Sequence, residues 1–271
     1  IANGGKTGDS AKLQNSAVMD RGGSQFQALA ESSFEPEIPV DAEKKYKGNG
    51  SGGEDTSTTL WSVTGKTGNA GRKEFTLQDK VTADPADETV QKAFIMDDFD
   101  IAVKTGKDEA KHYTKDTLPD DAKFTAGNDS FKLTFANLPK GTEVTVTYSV
   151  RIDRDAYLAA GGEEGKVLSV KNGFQVTAAD GAVDSDNKNG TIEVKKLLTK
   201  SGKVITKKAD NGNPIVTWDF DVNLYSMYTE KELKSLKSAT ISDVLNPVLI
   251  TDLSSIRLTD PDGKEIPADA Y

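Results

Sequence analysis

Apolar residues recur at every second position along most of the chain. In "TLWSVTG", Trp61 and Val63 oppose Leu60 and Ser62. "KEFTLQDKV" sets Phe75 and Leu77 on one face, and "DFDIAVKTG" does so with Phe99, Ile101 and Val103. "SFKLTFANL" aligns Phe131, Leu133 and Phe135, and "TEVTVTYSVRID" aligns Val144, Val146, Tyr148, Val150 and Ile152. A period of two is the mark of a strand with one buried face, and the Gly, Asp, Asn and Pro clusters between the runs mark turns. The pattern predicts an all-β chain built as an antiparallel sandwich. Helical signal is thin: a turn or two over "RDAYLAAGGEEG", and a short helix over 229–239 with Thr229 as N-cap.

The pattern also repeats. "IPVDAEKKYKGNG" resembles "GTIEVKKLLTKSG", and each precedes a strand opened by tryptophan, Trp61 and Trp218, both expected in the core. Each copy then runs an apolar alternation into an acid: Phe75, Leu77, Asp79 and Ala239, Ile241, Asp243. Upstream, "KLQNSAVMD" resembles "SVKNGFQVT", with Asn15 in the place of Asn172. The natural unit runs from a lysine strand to an asparagine strand. Residues 1–37 then hold the closing strands of a preceding repeat plus a linker, 38–190 one complete unit, and 191–271 the front of a following one. Two accounts of the ends stand open. The chain is a piece cut from an array, or the Asn15 strand of one copy completes the 192–271 half-unit of another by edge pairing.

Within the complete unit three polar residues occupy positions where the alternation calls for apolar ones. Val40 and Ala42 lead to Lys44; Phe75 and Leu77 lead to Asp79; Val170, Phe174 and Val176 flank Asn172. Buried polar groups are costly unless they meet one another, so the three are expected to converge. Burial lowers a lysine pKa and raises an aspartic acid pKa, which favours a neutral amine beside a neutral acid. A neutral amine held against a carboxamide is a nucleophile with an effective molarity on the order of 10⁵ M or more. The expected product is a Lys44–Asn172 isopeptide bond, with Asp79 as the promoting acid. Lys196 and Asp243 are the equivalents in the second repeat, and Asn15 in the first. Alternatives remain at each position: a register shift of one makes Lys45 the inward lysine, Asp79 suits a turn, and Asn172-Gly173 suits a hairpin.

"VDAEKK", "LQDKV" and "VKNGFQV", with partial copies "IEVKK", "ISDVL" and "LQNSAVM", resemble the Ig-like, isopeptide-bond-forming domains of Gram-positive surface adhesins and pilins. The resemblance covers nearly the whole chain after residue 10. It implies tandem Ig-like (Cna-type) sandwiches forming a force- and protease-resistant stalk or adhesive module. It implies an extracellular, cell-surface location, with wall anchoring through parts outside this chain. Host surface or matrix ligands, or other subunits of a surface fibre, are the implied partners. No LPxTG-like signal, pilin lysine motif or Cys-Gln thioester accompanies it.

Composition narrows the alternatives. The 271 residues are 35% hydrophobic and 28% charged, with a net charge of −9. An acidic balance disfavours nucleic acid, which needs clustered cations. No apolar run approaches the roughly 18 residues of a membrane span. With no cysteine and one histidine, His112, neither thiol chemistry nor a transition-metal centre is expected, and no cofactor is called for. "DSDNKNG" (184–190) spaces Asp184 and Asp186 like calcium ligands but puts Lys188 at the third ligand position, so it reads as an inter-domain linker. Asp97, Asp98 and Asp100 read as a solvated acidic cluster. A turnover enzyme is not expected. The competing reading is a carbohydrate-binding β-sandwich of a secreted protein. That reading needs exposed aromatics, and aromatics are only 7% and mostly on core faces.

Overall fold

The computed structural model describes residues 11–21, 24–34, 38–50, 55–209, 212–224, 228, 230–244, 252–260, 262–267 and 269. The chain divides into two units, Ile1–Lys234 and Ser235–Tyr271. In the first, β1 (Ala11–Arg21) and β2 (Ser24–Phe34) form an antiparallel hairpin that places Asn15 opposite Ala30.

An Ig-like antiparallel sandwich follows. Its strands are β3 (Asp41–Gly50), β4 (Asp55–Lys66), β5 (Arg72–Ala83), β6 (Phe94–Thr105), β7 (Lys111–Tyr113), β8 (Ala122–Ala126), β9 (Ser130–Leu138), β10 (Thr142–Ile152), β11 (Lys166–Thr177) and β12 (Val183–Val194). One sheet has the order β3-β4-β10-β6-β7 and the other β12-β11-β5-β9-β8. The chain passes between the sheets five times, so both inner faces are built from residues far apart in sequence. Trp61, Val63, Ile101, Val144 and Val146 from the first sheet meet Phe75, Leu77, Leu133, Val170 and Ile192 from the second in one buried core. Each such side chain contributes about 1.5–3 kcal/mol on full burial, which locks the strand faces into place.

Two short helices punctuate the sandwich. α1 (Glu88–Lys92) is capped by Asp87, whose carboxylate accepts from the Thr89 and Val90 N–H groups. α2 (Arg154–Ala159) occupies the turn expected near "RDAYLAA". The alternation of β6 changes phase midway: Phe94 and Met96 are buried, then Ile101. The cause is a bulge. Thr147 of β10 pairs with Asp100 and Ser149 with Asp97, so Asp98 and Phe99 together oppose Tyr148. Asp98 takes a left-handed φ of 54°, a conformation aspartate tolerates better than most residues.

Residues 184–190 are not a linker. They lie inside β12, paired with β11 over its full length. Polar composition there reflects an edge strand rather than a loop. The carboxylates of Asp184 and Asp186 accept the backbone N–H groups of Ala42 (2.8 Å) and Lys44 (2.9 Å) on β3. The edges of the two sheets are thereby joined by side chain, not by ladder. The expected boundary at 190–191 falls within this strand, since Ile192 and Val194 still belong to the sandwich core.

After the sandwich, β13 (Leu198–Lys208) and β14 (Pro214–Val222) form a second antiparallel hairpin, followed by α3 (Glu230–Ser235). Thr229, the expected cap of that helix, lies outside the described residues. Trp218 departs from expectation: it is 40% exposed rather than in a core. In Ser235–Tyr271 the short strands β15 (Leu258–Thr259) and β16 (Glu265–Ile266) flank the turn expected at "TDPDGKEI".

Candidate functional site: a buried lysine, aspartate, tyrosine and asparagine

Asn172 lies in the middle of β11, on the face it shares with Val170, Phe174 and Val176, and is fully buried. The Asn-Gly pair does not turn; Gly173 continues the strand opposite Lys80. The neighbouring β5 places Val81 opposite Asn172 and Asp79 opposite Phe174. Asp79 is therefore a diagonal neighbour of Asn172 on the same inner face, and it too is buried. The facing sheet supplies Lys44 from β3 and Tyr148 from β10, both buried. Lys45 points the other way, to solvent, where it pairs with Glu43. Alternation on β3 thus selects Lys44, because Val40 anchors that face in the core.

The four side chains form one connected cluster. Lys44 Nζ donates to Asp79 Oδ2 and, at 3.0 Å, to the Tyr148 hydroxyl. That hydroxyl donates to Asp79 Oδ1 at 2.7 Å. Asn172 Nδ2 donates to the same hydroxyl at 2.9 Å. The phenolic oxygen gives its one hydrogen and accepts two, a full complement. Asn172 Oδ1 is buried and has no hydrogen-bond partner among the described residues. Lys44 Nζ also lies 5.4 Å from the Trp61 ring centroid, 5.7 Å from that of Tyr148 and 5.9 Å from that of Phe174. The Trp61 ring in turn lies against Gly190 of β12, where a Cβ would come within 2.9 Å of it.

Burial dominates the electrostatics. It lowers the Lys44 pKa from 10.5 to about 8, even though Asp79 beside it favours the charged amine. Burial likewise raises Asp79, against the opposing pull of Lys44 and of the Tyr148 hydrogen bond. Tyr148 rises well above its ordinary value through burial and the adjacent Asp79. Burial thus pushes the amine and the acid toward their neutral forms, beside an amide whose carbonyl oxygen meets no donor among the described residues.

The other expected positions are not assembled in this way. Lys196 lies beyond the end of β12 and is exposed, with its Cε 3.6 Å from where a Cβ on Gly165 would stand. It is not an inward lysine because the strand containing Ile192 and Val194 belongs to the preceding sandwich. Register points instead to Lys200. It sits opposite Phe220, two residues past Trp218, as Lys44 sits opposite Val63, two residues past Trp61. Lys200 Nζ lies 4.6 Å from the Trp218 ring centroid, and Gly202 faces that ring. Asp243 is exposed in a stretch with no regular secondary structure, so the expected Ala239–Asp243 strand does not form. The side chain of Asn15 lies outside the described residues.

His112 is exposed, with Nδ1 3.0 Å from Asp100. Asp97 accepts from Ser149 Oγ at 2.6 Å. No group of acidic or histidine side chains suited to a metal ion occurs among the described residues.

Tyr148 is the member of the cluster that sequence patterning left unassigned. Its alternation with Val144, Val146 and Val150 placed it in the core, and a buried phenol demands a hydrogen-bond partner. That demand was the available signal. Which partner answers it depends on the facing sheet, 69 residues away in sequence for Asp79.

No protein-family model matches the chain, and no curated protein matches it. Solved structures similar to it include proteins of bacterial surfaces. The collagen-binding subdomain of Enterococcus faecalis surface protein ACE is 9% identical, with a TM-score of 0.37, over 56% of this chain and 95% of that one. The collagen-binding domain of Erysipelothrix rhusiopathiae surface protein RspB is 13% identical, with a TM-score of 0.35, over 70% of this chain and 58% of that one. The full-length major pilin SpaD of Corynebacterium diphtheriae is 10% identical, with a TM-score of 0.35, over 65% of this chain and 40% of that one. The solved structures that this chain resembles thus include collagen-binding domains of two bacterial surface proteins and a major pilin.

Proposed function

We propose that this chain is a structural or adhesive module of a bacterial cell-surface protein or pilus, stabilised by a self-made Lys44–Asn172 isopeptide bond. The observation that carries the reading is the buried cluster itself: an amine, an acid and a carboxamide joined through one hydroxyl in a dry interior. In the reaction, neutral Lys44 Nζ attacks Asn172 Cγ. The Nζ–Cγ bond forms, the Cγ–Nδ2 bond breaks, and Nδ2 leaves as ammonia. No oxidant, metal or cofactor enters the balance. The bond replaces an uneasy buried charge with an amide and ties the edge strand β3 to the interior strand β11 of the facing sheet. It is made once per chain, so this chemistry is not turnover catalysis.

A tie between the two sheets suits a role under tension outside the cell. Host matrix or neighbouring fibre subunits are the fitting partners, and the ACE, RspB and SpaD likenesses agree with such a setting. The sandwich, bounded by β3 and β12, is the complete unit of this reading. The β1–β2 and β13–β14 hairpins would be parts of adjoining repeats. Intact mass tests the crosslink: the wild-type chain falls one ammonia below its sequence mass, and Asn172→Ala restores the full mass. A wild-type chain at full mass removes the reading.

A further inference from the structure

Tyr148 stands between the two nitrogens that the crosslinking reaction must treat in opposite ways. The attacking nitrogen, Lys44 Nζ, has to lose a proton. The departing nitrogen, Asn172 Nδ2, has to gain one. Both lie on the same phenolic oxygen, at 3.0 and 2.9 Å. Asp79, the acid that the sequence pattern nominates as the promoter, is occupied: Oδ2 accepts from Lys44 and Oδ1 accepts from Tyr148. It shares no hydrogen bond with Asn172, and its connection to the carboxamide runs through the tyrosine.

We propose that the Tyr148 hydroxyl is a catalytic group of the crosslinking reaction, carrying the proton from the attacking lysine nitrogen to the departing amide nitrogen. The proposal rests on the Lys44–Asn172 crosslink reading. Attack of the neutral amine on Cγ leaves the new nitrogen positively charged and Oδ1 negatively charged. Nδ2 is then no longer conjugated with a carbonyl, and its lone pair becomes basic. As Nδ2 becomes basic, the Tyr148 hydroxyl hydrogen swings from Asp79 Oδ1 to Nδ2 and is given up there, while the phenolic oxygen takes a proton from Nζ, ending as the phenol it began. Collapse of the oxyanion re-forms the carbonyl and expels ammonia. Atoms and charge balance with no outside participant. Asp79 has the separate task of holding the phenol in place and setting the protonation of Lys44. The bulge at Asp98 and Phe99 lies directly opposite Tyr148 in the sheet, and bulges re-aim side chains at such positions.

The test uses the full chain made by cell-free translation, sampled into acid over time and weighed intact. Tyr148→Phe keeps the ring that packs 5.9 Å from Phe99 and 5.4 Å from Phe131 but removes the relay. General acid–base groups contribute about 10²–10⁴-fold, so ammonia loss is expected to slow by at least about tenfold. Slowing of less than about tenfold overturns the proposal. Melting of Tyr148→Phe in the Asn172→Ala background, compared with Asn172→Ala alone, reports whether the ring substitution folds. A second variant, Tyr148→3-fluorotyrosine, changes phenol acidity with little change in shape. Its rate is expected to shift by about twofold or more at constant melting temperature, which a purely space-filling tyrosine would not do. An unchanged rate overturns the proposal even if Tyr148→Phe fails to fold. Wild-type chain that never loses ammonia defeats the crosslink reading itself. Wild-type loss with an unslowed Tyr148→Phe defeats only the role given to Tyr148.

Discussion

Substituting Asn172 by alanine leaves the Lys44 amine with no carbonyl carbon to attack. The bond it abolishes would join β3 to β11 across a loop of about 130 residues. Chain-entropy arguments assign roughly 5 kcal/mol to closing a loop of that length. A melting entropy near 2.1 cal/mol/K per residue, over roughly 155 residues of sandwich, converts 5 kcal/mol into a fall of about 15 °C. Scanning calorimetry reads the shift, and intact mass reads the bond. The entropic part is separated from local packing by a double-mutant cycle with Lys44→Met, which removes the amine and fills its space. If one covalent bond links the two residues, either substitution breaks it and the second costs little more. The coupling is then expected near 5 kcal/mol. Costs that add to within about 0.5 kcal/mol, as for independent sites, would refute the reasoning.

Three further outcomes follow from the same geometry. In Asn172→Ala the Lys44 amine stays free with its pKa held at about 8 against 10.5 when unfolded. The unfolded chain then binds more protons between those values. Stability should rise by about 3 kcal/mol as pH climbs from about 8 to 10.5, and Lys44→Met should flatten that rise in denaturant titrations. Asp79→Asn removes the group that favours the charged Lys44 amine and so should push the Lys44 pKa further down; it should also abolish ammonia loss, and with the crosslink gone stability should fall by roughly 5 kcal/mol in urea unfolding. Asp186→Ala removes the acceptor for the Lys44 N–H. It should cost about 1–3 kcal/mol and speed hydrogen exchange at that amide, while added calcium leaves the wild-type melting temperature unchanged.

The fold was legible where its cause is local. A strand's two faces are set by alternation alone, so Trp61, Phe75, Leu133, Val146 and Val170 could be assigned to a core without knowing which strands pair. The same periodicity put Lys44, Asp79 and Asn172 on inner faces and left Lys45 outside. The asparagine in "SVKNGFQV" was visible because a carboxamide on an apolar face is costly in any sheet that buries it. Periodicity misled where composition imitates a loop. Residues 184–190 are rich in turn formers, yet they form a strand because β11 pairs with them and β3 offers N–H groups to their carboxylates. Lys196 failed as a counterpart of Lys44 for a related reason. Its apolar lead-in, Ile192 and Val194, was already committed to the earlier core.

By itself, then, the amino-acid order determined the strand-rich class, the inner faces and the identities of three polar residues on them. Tertiary structure alone decided that β3 and β10 would present Lys44 and Tyr148 to Asp79 and Asn172. It also decided that Tyr148 would join all three, and that Lys200 rather than Lys196 would take the position beside the second tryptophan. The reason is the range of the forces. Side-chain alternation is written between neighbours in the chain. Hydrogen bonds such as those from Tyr148 to Asp79, or from Lys44 to Asp186, span 69 and 142 residues and exist only once the sheets have closed.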